Sequence, residues 1–352
     1  MNDRPDRLAI DPERLYEELE RAILGSARTL TRVQVAEQAG VPLERAVELW
    51  RALGFPGTDS DTEARYSAAD VEALRLVGWL VETGFIDQAV EVTLVRSMGR
   101  SFARLAEWEI AELSAAALAG SMETDQARLE ELMTSLIPVV EDLHTYVYRR
   151  HLANAAARML LLPGGDDGVK MAVGFADIVG FTRRSRGLSQ DELSELVETF
   201  EATSAAIVTN HRGRVIKTIG DEVLFVADDP VDAARIARAL VETEDEGFPQ
   251  VRVGLAYGDV VSRLGDVFGP VVNIASRLTS VARPGRVLLD REMHDVLKPL
   301  TDEFRVRRAR TATVRGYARL DTWALKAPKQ PKAKHPKREP PGQPRHPLSV
   351  DR

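Results

Sequence analysis

The chain has 352 residues, a formal net charge of −7 and no cysteine. That length fits two domains plus a tail, and the missing thiols exclude disulfides and thiolate metal sites. Apolar residues make up 44%, enough for a sizeable core, and no uninterrupted apolar run approaches the roughly 18–20 residues that span a bilayer. The N-terminus, MNDRPDRLAIDPERL, has no basic stretch followed by an apolar one, so a signal peptide is not expected. The expected protein is soluble and cytoplasmic, with no membrane span.

In chain order, DPERLYEELERAIL (11–24) has apolar residues at helical spacing after an Asp-Pro start. TRVQVAEQAGVPLERAVELWRALGFP (31–56) predicts two short helices around AGVP and a third stopped by Gly54 and Pro56. YSAADVEALRLVGWLVETG (66–84) opens on a capping box, Ser67 with Asp70, and closes on a Gly. Residues 86–120 supply one or two further helices, and a last long one is expected from about Thr124 to Leu162, bent at Pro138. The breaker cluster PGGDDG (163–168) ends it. Residues 1–150 carry 16 Arg and no Lys against 27 Asp and Glu.

Beyond residue 168 the pattern changes. KMAVGFADIVG (170–180) reads as a buried strand and residues 188–213 as an amphipathic helix closed by Gly213. VIKTIG and EVLFV form a hairpin. DPVDAARIARALVETE (229–244) is a helix capped by Asp229, with Pro230 in the first position. VRVGLAYGDVV (251–261) is a strand, and FGPVVNIASRLTSVARPG (268–285) is a helix entered through Gly-Pro and left through Pro-Gly. GRVLLDREM and short strands near 304–306 and 312–325 complete the unit. The order β-α-β-β-α-β predicts an α+β fold, a ferredoxin-like antiparallel sheet with helices on one face. The resulting division is an all-helical domain (1–123), a connecting helix and linker (124–167), the α+β domain (168–326) and a tail (327–352). From Lys326 to Arg352 there are eight basic residues, two acidic ones and seven prolines. Such a tail cannot bury enough apolar surface to order itself.

Four places carry unusual polar residues. Asp177 sits at the end of an apolar strand, where a carboxylate needs a partner or a cation. Asp221 and Asp266 sit in turns, and Asn273 and Arg277 share one helix face by their i, i+4 spacing. Taken singly, the turn residues are ordinary turn chemistry, the helix pair is a solvated face, and Lys217 is a lysine on the open side of a hairpin. Taken together, two carboxylates at a strand end and an adjacent turn offer hard oxygen ligands suited to Mg²⁺ or Mn²⁺. DIVGFT offers backbone N–H groups around Gly180 that can hold a phosphate. It is not a GxxxxGK[ST] loop, which excludes a P-loop NTPase. Acidic ligands, a phosphate loop and surplus Arg point to metal-assisted phosphoryl transfer.

FADIVGFT, IKTIGDEVLF, VRVGLAYGDV and GDVFGPVVNIASR resemble, in order and spacing, the motifs of the class III adenylyl cyclase catalytic domain. The resemblance implies conversion of ATP to 3′,5′-cyclic AMP and pyrophosphate in composite sites of a homodimer. It implies two Mg²⁺ or Mn²⁺ ions per site, with Asp177, Ile178 and Asp221 in the metal set. Lys217 and Asp266 match the adenine-reading pair, and Asn273 and Arg277 the residues that stabilise the ribose and the transition state. Arg252 matches a triphosphate contact, Arg315 is a weaker match for another, and Phe181 and Thr182 stand in the phosphate loop. A guanylate cyclase is the alternative, disfavoured by Lys217 and Asp266. GDEVLF is also similar to the GGDEF turn of diguanylate cyclases, which lack the NIASR helix motif.

The first domain resembles the helical regulatory domain of soluble, pH-responsive bacterial cyclases. On that resemblance, His144 and His151, seven residues apart on one helix face, are candidate pH-sensing groups. Residues 31–77 are also similar to the helix-turn-helix of MerR-type regulators. Their balanced local charge in an acidic half is a poor footprint for a phosphate backbone, so no nucleic acid is expected as a partner. A catalytically silent nucleotide- or DNA-binding regulator is the remaining alternative.

Overall fold

A computed structural model of the chain describes residues 12–55, 57, 60–119, 126–161, 169–309, 312–314 and 317–326, and the chain divides into two units, Met1–Pro163 and Gly164–Arg352. PGGDDG, Arg315 and the basic tail beyond Lys326 lie outside the described residues.

In the first unit, helices start and stop where local chemistry dictates. They are α1 (Pro12–Leu24), α2 (Arg32–Ala39), α3 (Leu43–Leu53), α4 (Ala68–Glu82), α5 (Gln88–Ala119) and α6 (Gln126–Leu161). Thr31 caps α2 reciprocally: its hydroxyl accepts from Gln34 N at 3.3 Å, and Gln34 Oε1 accepts from Thr31 N at 2.9 Å. The expected Ser67–Asp70 box opens α4, with Asp70 Oδ2 accepting from Ser67 N at 2.7 Å. The third helix expected within 31–56 is absent among the described residues. LERAVELWRAL contains neither Gly nor Pro, so it runs unbroken from Pro42 to the left-handed cap at Gly54. Trp50 stacks on Tyr66 with ring centroids 4.3 Å apart. Val35, Leu49, Val71, Leu74 and Val95 fill the core around them. A side chain at Gly99 would meet the Leu53 carbonyl at 2.3 Å, so α5 lies directly on the end of α3. On α3, Glu44, Glu48 and Arg51 are exposed, and Arg45 is held by the buried Glu91 at 2.6 Å. α6 continues through Pro138.

The second unit follows in the order β1 (Val169–Ile178), α7 (Phe181–Arg184), α8 (Gln190–Asn210), β2 (Arg214–Ile219), β3 (Glu222–Ala227), α9 (Pro230–Glu242), β4 (Val251–Arg263), β5 (Asp266–Phe268), α10 (Pro270–Val281), β6 (Val287–Leu289), α11 (Arg291–Leu297), β7 (Arg305–Arg308), β8 (Ala312–Val314), β9 (Tyr317–Leu320) and β10 (Trp323–Lys326). The main sheet has the order β2-β3-β1-β4-β6-β10-β7, with β5 paired to β4 and β8-β9 forming a separate ribbon. β2-β3-β1-β4 is the antiparallel ferredoxin-like arrangement expected from the sequence. The β4–β6 pair is parallel.

Pleating sends alternate residues of β1 to opposite faces. Ala172, Ala176 and Ile178 join a core with Phe200 of α8 and Ile236, Ala237 and Leu240 of α9. Met171, Val173 and Phe175 join another with Val271 and Ala275 of α10. The expectation of helices on one face therefore needs correction, because α10 covers the reverse side. Gly254 permits this: a Cβ there would lie 2.4 Å from both Ala275 O and Thr279 N. Thr279 completes the seam, its hydroxyl facing Phe175 O at 3.1 Å and Ala275 O at 3.0 Å. Helix α11 was not expected either, since a seven-residue helix directly after a three-residue strand leaves little periodicity to read. Its cap is Asp290, which accepts from Met293 N at 2.9 Å and Tyr257 N at 3.2 Å. Among the described residues no helix is long and apolar enough to cross a membrane.

Candidate active site

The site begins with strand register. Asp177 has the parity of Phe175 and so stands on the α10 side of the sheet. It lies opposite Glu222 of β3 and opposite Arg252 of β4. Glu222 shares the parity of Leu224 and Val226, and Arg252 that of Ala256, all on the same face. One row across three strands therefore reads Glu222, Asp177, Arg252. Arg252 Nε donates to Asp177 Oδ2 at 2.6 Å, and its Nη1 donates to the Ser280 carbonyl of α10 at 3.1 Å.

Asp221 reaches the row through the hairpin turn. Gly220, at φ 64, supplies the positive φ that the first position of a II′ turn needs. Ile178 N donates to Asp221 O at 3.0 Å, which pins the turn to the end of β1. Burial lifts the Asp177 carboxyl above the usual carboxylate range; Arg252 opposes the shift and the charge of Asp221 adds to it. Burial, then the charges of Asp177 and Asp221, push Glu222 up to about 7. The folded chain thus holds the Glu222 proton more tightly than the unfolded chain does. Its contribution to stability is full in acid and is lost as pH rises through about 7. Glu222 was not among the candidates from sequence, where nothing separates it from an ordinary turn residue; only the register exposes it.

Lys217 follows a bulge in β2 between Val215 and Lys217. Its ammonium is paired with Asp266 Oδ2 of β5 in the same chain, and Asp266 Oδ1 accepts from Val267 N at 2.9 Å. Among the described residues no hydrogen bond or ion pair joins this pair to the Asp177 group. Asn273 is exposed and Arg277 half-buried on α10, and neither side chain has a partner among the described residues. Gly180, at φ 70, turns the chain from β1 into α7, where Phe181 packs against the core and Thr182 is exposed. Arg315 lies outside the described residues. His144 and His151 belong to the first unit: His144 Nε2 meets Glu109 Oε1 of α5 at 2.7 Å, while His151 is exposed.

Residues 167–327 match the family described as the adenylate and guanylate cyclase catalytic domain. An adenylate cyclase of Streptomyces coelicolor is 45% identical over 293 residues, covering 81% of this chain and 76% of the relative. The chain belongs to the adenylate and guanylate cyclase family. Two further relatives align with most of this cyclase. An adenylate cyclase of Glutamicibacter nicotianae is 40% identical, over 88% of this chain and 81% of its own. A pH-sensitive adenylate cyclase of Mycobacterium tuberculosis is 35% identical, over 77% of this chain and 71% of its own. This cyclase is therefore an enzyme.

Class III cyclases generally use divalent metal ions, and the donors here suit one. Among the described residues no group of three or more His, Asp or Glu side chains is placed to hold a metal ion. Magnesium does not need one, because it is commonly held by one or two carboxylates plus substrate phosphates and water. Clustered carboxylates with raised proton affinity, at the mouth of a turn, are the oxygen-rich and negatively charged setting that such an ion neutralises.

Proposed function

We propose that this cyclase converts ATP to 3′,5′-cyclic AMP and pyrophosphate, in composite sites completed by a second copy of the chain. The observation that carries ATP over GTP is the Lys217–Asp266 pair, a donor and an acceptor held side by side. Adenine presents an acceptor at N1 and a donor at N6, which this pair complements; guanine presents the reverse. The names of the relatives agree with that choice.

Asp177 and Asp221, with the backbone at Ile178, would hold two Mg²⁺ or Mn²⁺ ions. Bound there, such ions acidify the ribose 3′-hydroxyl and neutralise the triphosphate. Asn273 orients the ribose. Arg277 meets the charge that grows on the α-phosphoryl as the 3′-oxygen attacks and pyrophosphate leaves. Arg252 lies beside the metal carboxylate; by their match to the family, Arg252 and Arg315 would contact the triphosphate, and Phe181 and Thr182 belong to its loop. In a two-fold dimer one chain gives Asp177, Asp221 and Arg252 and the other Lys217, Asp266, Asn273 and Arg277. Incubation of the full chain with ATP and Mn²⁺ should yield cyclic AMP and pyrophosphate in equal amounts. Turnover of GTP in preference to ATP would overturn the specificity assignment.

The division of labour we propose sets a regulatory domain (1–123) and a connecting helix (124–167) before the catalytic domain (168–326). His144 supports a pH-dependent form of this regulation, since it bridges α6 to Glu109 of α5. A charged His144 would make that bridge an ion pair with Glu109. His151 has no such contact and is the weaker candidate. His144→Gln keeps a neutral hydrogen bond, so the acid limb of the pH–activity profile should flatten while activity at pH 8 stays within about twofold. A profile superimposable on that of the unaltered chain would remove His144 from the mechanism.

A further inference from the structure

Between the end of α2 and the outer face of α4 lies an open groove of about 360 Å³. Its apolar lining is Ala39, Val41, Leu76 and Trp79, and its acidic lining is Glu72 and Glu82. Arg75 also lines it but is engaged, donating to the Gln38 carbonyl at 2.7 Å and lying 3.7 Å from Glu72. Leu76, Trp79 and Phe85 are 58, 53 and 72% exposed. Trp79 and Phe85 stack with ring centroids 5.6 Å apart. Large apolar side chains grouped in this way, beside carboxylates, mark an interaction surface rather than scattered exposure.

The chain itself carries a segment of matching chemistry. From Lys326 to Arg352 there are eight basic residues against two acidic ones, with seven prolines, whereas residues 1–150 hold 16 basic against 27 acidic. Proline fixes φ near its polyproline II value, and that helix repeats every three residues. In REPPGQPR (338–345), Arg338, Pro341 and Pro344 are three apart and so share one edge of such a helix. Proline edges of this kind dock on grooves lined by aromatic rings. We propose that residues 338–345 dock as a polyproline II helix in the Trp79 groove of the same chain. The proline rings lie against Trp79 and Phe85, and Arg338 and Arg345 face Glu72 and Glu82. A second copy of the groove fits less well, because it would set Glu72 and Glu82 against like charge. β10 ends at Lys326, and the residues from there to Arg338 give a reach of about 40 Å in polyproline II. Within that reach the tether sets an effective concentration on the order of millimolar, so a weak contact is filled.

The chain has no cysteine, so Gln343→Cys gives the full chain a single thiol for bimane, a fluorophore quenched on contact with tryptophan. Its emission should be quenched at low salt, to a degree independent of protein concentration, and released at about 1 M salt, where charges are screened beyond about 3 Å. Trp79→Phe keeps an aromatic ring but removes the quencher, so the quenching should be lost. Trp108→Phe, at a side chain 61% exposed on α5, should leave it unchanged. Glu72→Gln with Glu82→Gln should lower the quenched fraction about threefold, as the loss of two exposed ion pairs implies. Pro341→Ser with Pro344→Ser should abolish most of it. Those two substitutions lie beyond the last described strand, so their effect cannot come from a disturbed groove. The assignment is overturned by absence of quenching, by quenching that survives Trp79→Phe, or by quenching that grows with protein concentration. Quenching that survives the double proline substitution also overturns it, since the contact would then be charge alone.

Discussion

Asp177→Asn should lower cyclic AMP formation by about 10³-fold or more while leaving the melting temperature unchanged or slightly raised. The two halves of that expectation come from one geometry. Asparagine has the shape of aspartate, and its side-chain oxygen can still accept from Arg252, which donates to Asp177 at 2.6 Å. What is lost is a negative charge among Asp221, Glu222 and Arg252. A structural ion pair would make that loss destabilising. Here the Asp177 carboxyl is shifted up, chiefly by burial. The folded chain binds its proton more tightly than the unfolded chain does, so Asp177 favours folding most at low pH and loses that contribution as pH rises through the raised value. Near neutrality the ionised form is a burden on the fold, and its removal relieves the burden. Stability given up for chemistry is the usual signature of a working site. Melting curves at pH 5 and pH 8 beside a cyclase assay would decide it. A variant that melts many degrees lower at both pH values and keeps most of its activity would make Asp177 a structural residue.

How much of this was legible in the sequence depended on the range of the interaction that fixes each feature. Helix starts at Thr31, Ser67 and Asp229 are written in three or four consecutive residues, and the expected caps at Ser67 and Asp229 are present. The ferredoxin-like order was legible because strand and helix periods alternate along the chain. The side on which a helix packs is not local. Nothing in FGPVVNIASRLTSV says that it covers the reverse face; Gly254, some twenty residues earlier, makes room for it there. The same holds within the site. Asp177 was visible as a charge in an apolar strand. Glu222 was not singled out in the sequence, and its position opposite Asp177 and beside Asp221 places it among the carboxylates. Arg252 was assigned to phosphate on resemblance alone, and its bond to Asp177 became apparent only when two strands were laid in register.

Mixing Lys217→Ala chains with Asp221→Ala chains should restore activity that neither variant has alone. Lys217 and Asp221 lie four residues apart in one hairpin, yet their contacts diverge. Asp221 is pinned to the end of β1 at Ile178, whereas Lys217 is paired with Asp266 of β5. Under the composite-site reading these groups serve different active sites of a two-fold dimer. A heterodimer then holds one intact site, with metal ligands from the Lys217→Ala chain and the adenine pair from the Asp221→Ala chain. Its other site carries both lesions. Random pairing of equal amounts makes about half of the dimers mixed, each with one of two sites working, so about a quarter of full activity should return. Asp177→Ala mixed with Asp221→Ala supplies the control, because both lesions fall on the metal side and every site stays broken. Dual affinity tags would confirm that mixed dimers form. If they form and the Lys217→Ala with Asp221→Ala mixture stays inactive, each chain builds its own site, and the hairpin serves one active site rather than two.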